Sequence, residues 1–525
     1  MAAEANPRMS LARDVTTVGS ATLASRLLGF ARDVGIAAVL GAGAFADAFF
    51  AVLQIMNFFR RLLAEGALNT AFVPLWLRIK SSEGERATDR FLWEVFAAMV
   101  LAVGALALLG FWFAPAVIEA LAPGFGVMRQ AMAVDYLRIA APYVALAGTV
   151  AVLAATLNAE GRFVAVALGV IAFNAMLLAA LAWAAAFGGA VPSTIGAILA
   201  HGIVLGGLAQ LLITGAGFFM LRKTRPMRGY LGLSADTRRF FARAVPALIA
   251  AGIPQLKLIA GAMVASSSPA ALSWLYYANR LYELPLGVIS IAIASVLVPA
   301  IAVGVRSGKA DELAAAQSRG FEIALGLALP AAVGFAVLAE PMARGLFERG
   351  AFGPRDTAAV AAALAAICAG LPGHGLEKVL GAISFAHEDT RTPMLAALAG
   401  LAAAVAGAFA LFPRYGAVGV AAAIAISGWV GATLLMAILA RRGWLALDRG
   451  AWRRLPRLVV AAIIMGAVIF AANALAAPML DGSQLIRIGG LAVLVALGLA
   501  VYVVSLEVLG VARLHDLITA IRQRV

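Results

Sequence analysis

The stretch NFFRRLLAEGALNT (57–70) sets Arg60, Arg61 and Glu65 inside a run that is otherwise apolar. Arg26 and Arg32, with Asp33, lie in a similar run upstream, SRLLGFARD (25–33), and Arg280 with Glu283 in YYANRLYELPLGV (276–288). A guanidinium is a rigid fork of donors that meets phosphate oxygens two at a time. Five such groups on apolar segments suit an anionic, phosphate-bearing ligand. One arginine at the centre of a membrane helix costs about 2.5–3.5 kcal/mol, so five facing lipid would cost on the order of ten kcal/mol. They must face a hydrated cavity or find acidic partners. Partners are at hand at helical spacing, Glu65 after Arg61 and Glu283 after Arg280. Ion pairs that only fix packing are therefore the competing reading.

Helices must position these groups. At 100° per residue, Asp47, Gln54, Arg61, Glu65 and Asn69 fall within about 40° of one line. Gly19, Thr22, Arg26, Gly29 and Asp33 form a second stripe with Arg32 beside it, and Ser273, Tyr277, Arg280 and Glu283 a third. At about 1.5 Å per residue, Arg26, Arg61 and Arg280 lie within reach of the midplane of a core about 30 Å thick. Snorkelling could relieve Arg32 but hardly Arg61. Asp33, Asp47, Glu65 and Glu283 offset four of the five cations, and Lys257 and Lys378 add to the balance while Glu377 opposes it. The expected site is positive but buffered.

Composition sets the class. Of 525 residues, 63% are hydrophobic and 13% charged, and the mean hydropathy is +0.95. That is a polytopic membrane protein rather than a soluble domain. Windows of about twenty apolar residues fall near 15–41, 45–77, 92–121, 132–158, 163–187, 194–221, 240–266, 271–304, 320–344, 357–384, 393–412, 416–440, 457–477 and 486–509. About fourteen helices are expected, all-α, with no alternating strand pattern for a β-barrel. The midplane cations cluster on spans one, two and eight, whereas packing glue would be spread over many interfaces. MAAEANPRMSLARD is polar and the apolar run after it is long enough to span, so no cleavable signal is expected; Met9 is an alternative start.

The net charge of +14 is mostly topology. Alternate connections carry Arg78, Lys80, Arg86 and Arg90, then Arg162, then Arg222, Lys223, Arg225, Arg228, Arg238, Arg239 and Arg243. The series continues with Arg306, Lys309 and Arg319, then Arg391, then Arg441, Arg442, Arg449, Arg453, Arg454 and Arg457. Opposite connections carry few, such as Arg129, Arg349, Arg355, Arg414 and Arg487. The positive-inside rule then puts both termini in the cytoplasm, with these loops facing lipid headgroups rather than nucleic acid. The single Cys368 excludes an intramolecular disulfide and a cysteine-zinc cluster. Four scattered histidines argue against a histidine metal site. No P-loop is present for ATP, and no cofactor is expected.

A weak internal repeat runs through the chain. NTAFVPLW (69–76) is answered by ASVLVPAI (294–301), LAPGF (121–125) by LFERGAF (346–352), and LNAEGRF (157–163) by SFAHEDTRT (384–392). Pro74 to Pro299 is 225 residues and Asn158 to His387 is 229. A six-helix unit repeated once fits, its copies related by a pseudo-twofold axis along the membrane normal and facing a central cleft. The expected divisions are an N-lobe at 10–225, a C-lobe at 236–442 and a C-terminal helix pair at 452–525. Pro142, Pro246, Pro254, Pro285, Pro330 and Pro372 lie in or at the ends of spans. Gly19 and Gly29 are candidate bending points.

At SRLLGFARD, ADAFF (46–50), RRLLAEGALNTAFVP (60–74), LAPGF and YYANRLYELPLGV the chain resembles the MurJ/MviN lipid II flippase family, within the multidrug/oligosaccharidyl-lipid/polysaccharide exporter superfamily. The likeness extends over essentially the whole chain. It implies an inner-membrane transporter that moves the undecaprenyl-diphosphate-linked peptidoglycan precursor, lipid II, from the cytoplasmic to the periplasmic leaflet. The family's cavity arginines correspond to Arg26, Arg32, Arg60 and Arg280, with Arg61 in the same motif. Asp33, Asp47, Glu65, Asn69 and Glu283 would support or gate them. Helices near 457–509 would form a groove for the lipid tail. A monomer is expected, with membrane lipids and cell-wall synthesis proteins as partners. Some members are described with a sodium site using carboxylate and amide ligands on the seventh and eleventh helices. Lys257 stands in the seventh span and PMLAALAGLAAAVAGAFALF (393–412) has no such ligand. Hard cations need several oxygens, so no sodium site is expected. Lys257 is either a tethered substitute for the ion or a snorkelling lysine.

The expected cycle shelters the headgroup: the arginines draw in the diphosphate, the lobes close, and rocking exposes the site to the other side. An inside-negative potential, about 2.3 kcal/mol per charge per 100 mV, would drive an anion outward and help cationic arginines reset. An exporter of another polyprenyl-linked glycan would share this design. A drug or cation antiporter would want an acidic cavity. A membrane-embedded phosphotransferase or glycosyltransferase would want an acidic metal site on a cytoplasmic loop. Glu83, Glu85 and Asp89, or Glu388 and Asp389, are interspersed with arginines and read as solvated helix ends.

Overall fold

The computed structural model describes residues 7–64, 67–187, 191–222, 232–307, 309–480 and 482–511, and the regular structure among them is entirely helical. Met1–Gln255 form one compact unit and Leu256–Val525 another. The first holds α1 (Pro7–Leu40), α2 (Ala44–Ala64), α3 (Ala67–Ser82), α4 (Glu85–Trp112), α5 (Ala114–Leu121), α6 (Val127–Ala140), α7 (Pro142–Ala159), α8 (Phe163–Phe187), α9 (Pro192–Arg222) and most of α10 (Ala235–Ala265). Gly41 ends α1 at φ 68°, a left-handed conformation that costs glycine little. Close packing of α8 on α9 depends on small residues: a Cβ at Gly202 would lie 2.7 Å from the Ala180 Cβ, and one at Gly206 2.9 Å from the Phe173 ring. The core joining α3, α4, α7 and α10 is aromatic. Phe72 stacks on Trp76 and Phe91 at 5.5 and 5.3 Å and meets Phe240 edge-on at 6.0 Å.

The second unit holds α11 (Ala271–Ala292), a π-turn (Ile293–Leu297), α12 (Val298–Ser307), α13 (Ala310–Val337), α14 (Ala339–Phe347), α15 (Pro354–Cys368), α16 (Leu371–Ala386), α17 (Arg391–Arg441), α18 (Arg449–Leu480) and α19 (Gln484–Val508). Tyr277 closes on Phe347 and Phe352 at 5.1 and 5.3 Å. The C-terminal pair packs into this unit. Tyr502 donates to the Gly326 carbonyl at 3.0 Å, Arg454 to Glu322 at 2.6 Å, and Arg487 to Glu348 at 3.1 Å.

The chain is a multi-pass membrane protein. Ten helical segments among the described residues are long and apolar enough to cross a membrane, or eleven if the bent pair Ala235–Leu248 and Gly252–Ala265 is one span. Their lipid-directed faces leave Leu101, Leu108, Leu212, Phe219, Phe409 and Phe470 exposed. The window 45–77 is covered by α2 and α3, with residues 65 and 66 outside the described residues. The window 132–158 lies within one membrane-length segment, Val127–Ala159, interrupted at Ala141, where Pro142 opens α7 and its missing N–H costs nothing. The windows 393–412 and 416–440 are the two helical arms of α17, which meet at the non-helical Gly416 (φ 54°, ψ −134°) three residues after Pro413. One local pattern recurs: a long helix, a short helix, then a helix broken near its middle. The junctions after α4 and α13 are Phe113 (φ −94°, ψ 18°) and Leu338 (φ −95°, ψ 14°), 225 residues apart.

Candidate functional site

The expected site residues of the first unit lie on α1, α2 and α3. Arg26 is exposed on α1. One and a half turns later Arg32 is only 7% exposed and Asp33 fully buried. The Arg32 guanidinium donates to Asp33 Oδ1 through Nε at 3.0 Å and Nη2 at 2.7 Å, and through Nη1 to Asn174 Oδ1 on α8 at 3.2 Å. Asn174 in turn donates to the Ser25 and Val170 carbonyls at 3.4 and 3.2 Å. Arg32 thus does not snorkel. Charge-assisted bonds in a low-dielectric interior lock α1 to α8.

Asp47, fully buried in the first turn of α2, meets Arg129 of α6, whose Nη1 lies 3.5 Å from Asp47 Oδ2. Arg129 also donates to the Gly124 carbonyl at 3.1 Å and lies 4.8 Å from the Phe125 ring centroid. Of the stripe expected through Asp47, Gln54, Arg61, Glu65 and Asn69, the first three lie on α2 and Asn69 on α3, and Glu65 lies outside the described residues. Arg60 and Arg61 are half-buried on α2. Arg60 Nε is 3.4 Å from Asn57 Oδ1, and Arg61 Nη1 is 3.4 Å from Gln255 Oε1 of α10. Asn69 opens α3, and its Oδ1 is buried without a hydrogen-bond partner among the described residues.

In the second unit Arg280 Nη1 lies 3.5 Å from Glu283 Oε2, both side chains 24% exposed. Asn279 donates to Glu283 Oε1 at 3.2 Å. Lys257 is 8% exposed. Its ammonium does not run out to an interface but ends against α17, where a Cβ placed at Gly400 would be 2.9 Å from Nζ and 3.0 Å from the Ser427 carbonyl.

Sequence reasoning missed Arg129, Asn174, Gln255 and Asn279 as partners. Asn174 carried a signal, as the lone amide in an apolar run of 25 residues. Arg129 carried none, because its partner Asp47 is 82 residues away. Lys223, Arg225 and Arg228 of the basic connection lie outside the described residues. Chemically, the set offers two half-buried guanidiniums on α2 with amide oxygens of Asn57 and Gln255 at 3.4 Å, a cation beside a carboxylate on α11, and a locked pair on α1.

The family model for the lipid II flippase MurJ matches residues 36–489. A probable lipid II flippase MurJ of Rhizobium meliloti (strain 1021) is 39% identical over 501 residues, covering 94% of this chain and 93% of that protein. The lipid II flippase MurJ of Burkholderia cenocepacia is 30% identical over 468 residues, covering 88% and 90%. Among solved structures, a lipid II flippase MurJ in an inward closed conformation superposes with a TM-score of 0.78 at 23% identity, covering 95% of this chain and 99% of that one. An inward-facing multidrug transporter of the MOP superfamily superposes at 0.61 and 14% identity, covering 80% and 94%, a likeness of fold alone.

Proposed function

This chain belongs to the lipid II flippase MurJ family, and from that premise we propose that it carries lipid II from the cytoplasmic to the periplasmic leaflet of the inner membrane by alternating access. It is a transporter, not a catalytic enzyme. The polyprenyl tail is at home in hydrocarbon. The diphosphate and sugar–peptide are not, and a polar path must substitute for water while they cross. The first unit offers Arg26, Arg60 and Arg61 to the diphosphate, and the second offers Arg280. Arg32 keeps α1 in place through Asp33 and Asn174. Asp47 sets the start of α2, Glu65 and Asn69 support the arginines from the same motif, and Glu283 balances Arg280. Lys257 stands as a tethered internal cation. The lobes run over 10–225 and 236–442, with the helix pair at 452–525 taking the lipid tail. Both termini face the cytoplasm, the protein acts as a monomer, and cell-wall synthesis proteins receive its product.

One observation carries the site assignment. Arg60 and Arg61 are half-buried inside the second apolar window, each with an amide oxygen 3.4 Å away at a position that a phosphate oxygen can take. The test is depletion of the protein in cells followed by leaflet-specific labelling of lipid II. Wild type restores export, whereas Arg26→Ala, Arg60→Ala and Arg280→Ala, made at wild-type levels, do not. Undiminished precursor export on depletion would remove the function, and full rescue by the three variants would remove the site.

A further inference from the structure

Away from the arginines, the second unit gathers titratable side chains at mid-span. Lys257 of α10, Tyr282 of α11, and His374 and Glu377 of α16 converge on the two arms of α17, before and after Gly416. Both arms are cut away to receive them. A Cβ at Gly400 would come within 2.9 Å of Lys257 Nζ, one at Gly428 within 2.5 Å of His374 Nδ1, and one at Gly431 within 2.6 Å of Glu377 Oε1. Three glycines, Gly400 on the first arm of α17 and Gly428 and Gly431 on the second, thus each admit one ionisable group. The floor is firm. Tyr282, 4% exposed, pairs its hydroxyl with His374 Nδ1 at 2.8 Å. His374 Nδ1 also lies 3.0 Å from the Gly370 carbonyl. Ser427 is fully buried and commits its hydroxyl to the Ile424 carbonyl at 2.7 Å.

The groups that face Glu377 come from several elements. Lys257 approaches from α10 and Lys378 is its neighbour on α16, and the charges of both act on it. Tyr282 lies across from α11, with Glu283 and Cys368 of α15 beyond. α17 presents its glycines and Ser427, with Trp429 against Gly373, and α13 packs Ala324 and Ala328 against Gly375. Lys257 and Lys378 against Glu377 leave one net positive charge when the carboxylate is ionised. Uptake of one proton converts it to the neutral acid and leaves two.

We propose that this chamber is a proton-binding site, with Glu377 as the group that takes up and releases the proton and Lys257 as the fixed internal cation that sets its affinity. The acid–base step is complete in itself: the proton comes from water, adds to a carboxylate oxygen, and leaves by the reverse. Binding changes the charge held at mid-span, on which a membrane potential acts with about 2.3 kcal/mol per charge per 100 mV. The site is distinct from the arginines and does not rest on the identity of the transported lipid.

The test is a pH titration of the full-length protein in lipid nanodiscs, read by difference infrared spectroscopy at the carboxylic-acid carbonyl stretch. A titrating band is expected that Glu377→Gln abolishes. Removing a nearby cation favours the neutral acid, so Lys257→Met should move the midpoint of that band by about one pH unit or more. Glu377→Asp, which keeps a carboxyl, should retain a titrating band at a shifted frequency and covers the case in which the glutamine variant fails to fold. A spectrum unchanged in Glu377→Gln, or a midpoint unmoved in Lys257→Met, overturns the proposal. Because the readout needs no substrate, failure of lipid II export in cells would leave it standing, and its failure would leave the flippase reading standing.

Discussion

Replacing Asp33 by alanine tests how the first unit tolerates an arginine inside the membrane. The carboxylate is fully buried and accepts two bonds from Arg32, at 3.0 and 2.7 Å. Truncating one partner of a buried ion pair costs about 3–5 kcal/mol, because the remaining charge stays desolvated. Asp33→Asn keeps the shape and one acceptor and should cost less, on the order of 1–3 kcal/mol. Replacing both partners, Arg32→Met with Asp33→Leu, removes the stranded charge and should restore most of the loss. At roughly 2–4 °C per kcal/mol for a unit of this size, Asp33→Ala should lower the melting temperature in detergent by ~6–20 °C. The assay is thermal unfolding followed by gel filtration for all three variants. A melting temperature for Asp33→Ala within a degree of wild type, or a double variant no better than the single, would refute the reasoning.

Glu94 of α4 is buried and accepts from the Ser234 amide at 2.8 Å, the Thr237 hydroxyl at 2.6 Å and Arg90 Nε at 2.8 Å. It thereby caps α10 from a neighbouring helix, and Glu94→Ala should cost about 1–3 kcal/mol, read as faster amide exchange over 235–240 without loss elsewhere. Asp389 caps α17: its oxygens accept from the Arg391 and Thr392 amides at 2.9 and 3.1 Å and from the Thr392 hydroxyl and Arg442. The Thr392 hydroxyl first, with the Thr392 amide, Arg442 and the Arg391 amide, holds its carboxyl down at about 2. A depressed carboxylate contributes stability above its ordinary range, near pH 4, and loses it as pH falls through the folded value. Exchange at the first turn of α17 should therefore rise between about pH 4 and pH 2 in wild type and be raised at every pH in Asp389→Ala; a flat wild-type profile would count against the cap.

Much of the architecture was legible because hydropathy acts over long windows. Twenty apolar residues can satisfy their backbone in lipid only as a helix, so the span positions follow from composition. The division after α4 and α13 could be anticipated from the spacing of Pro74 and Pro299, and both junctions adopt nearly the same backbone angles. What windows do not carry is where a span breaks. Pro142 marked the interruption at Ala141, but the kink at Gly416 joins two windows that hydropathy alone leaves as separate runs. Contacts between distant segments were also silent. Nothing local ties Asp47 to Arg129, or Lys257 to the Gly400 and Ser427 surface of α17. Helical spacing finds neighbours within a helix, and it found Arg280 with Glu283. It is blind to a partner brought in by the fold.

Those contacts also explain why arginines of one residue type divide into two uses. A guanidinium in a membrane must be compensated, and two compensations are available. Arg32 takes the complete one: burial against a carboxylate and an amide, with three bonds no longer than 3.2 Å. Leaving that arrangement for a ligand would strand Asp33 in a dry interior, at a cost of about 3–5 kcal/mol that a phosphate contact would first have to recover. Arg60 and Arg61 take a more open one, half-buried with amide oxygens 3.4 Å away. A bond to an amide is given up without leaving a naked charge behind, so exchanging it for a phosphate oxygen gains a charge-assisted bond at little cost. Stability and ligand binding thus make opposite demands on the same side chain. Full burial against a carboxylate, as at Arg32, serves the first, and partial exposure, as at Arg60, Arg61 and Arg280, serves the second.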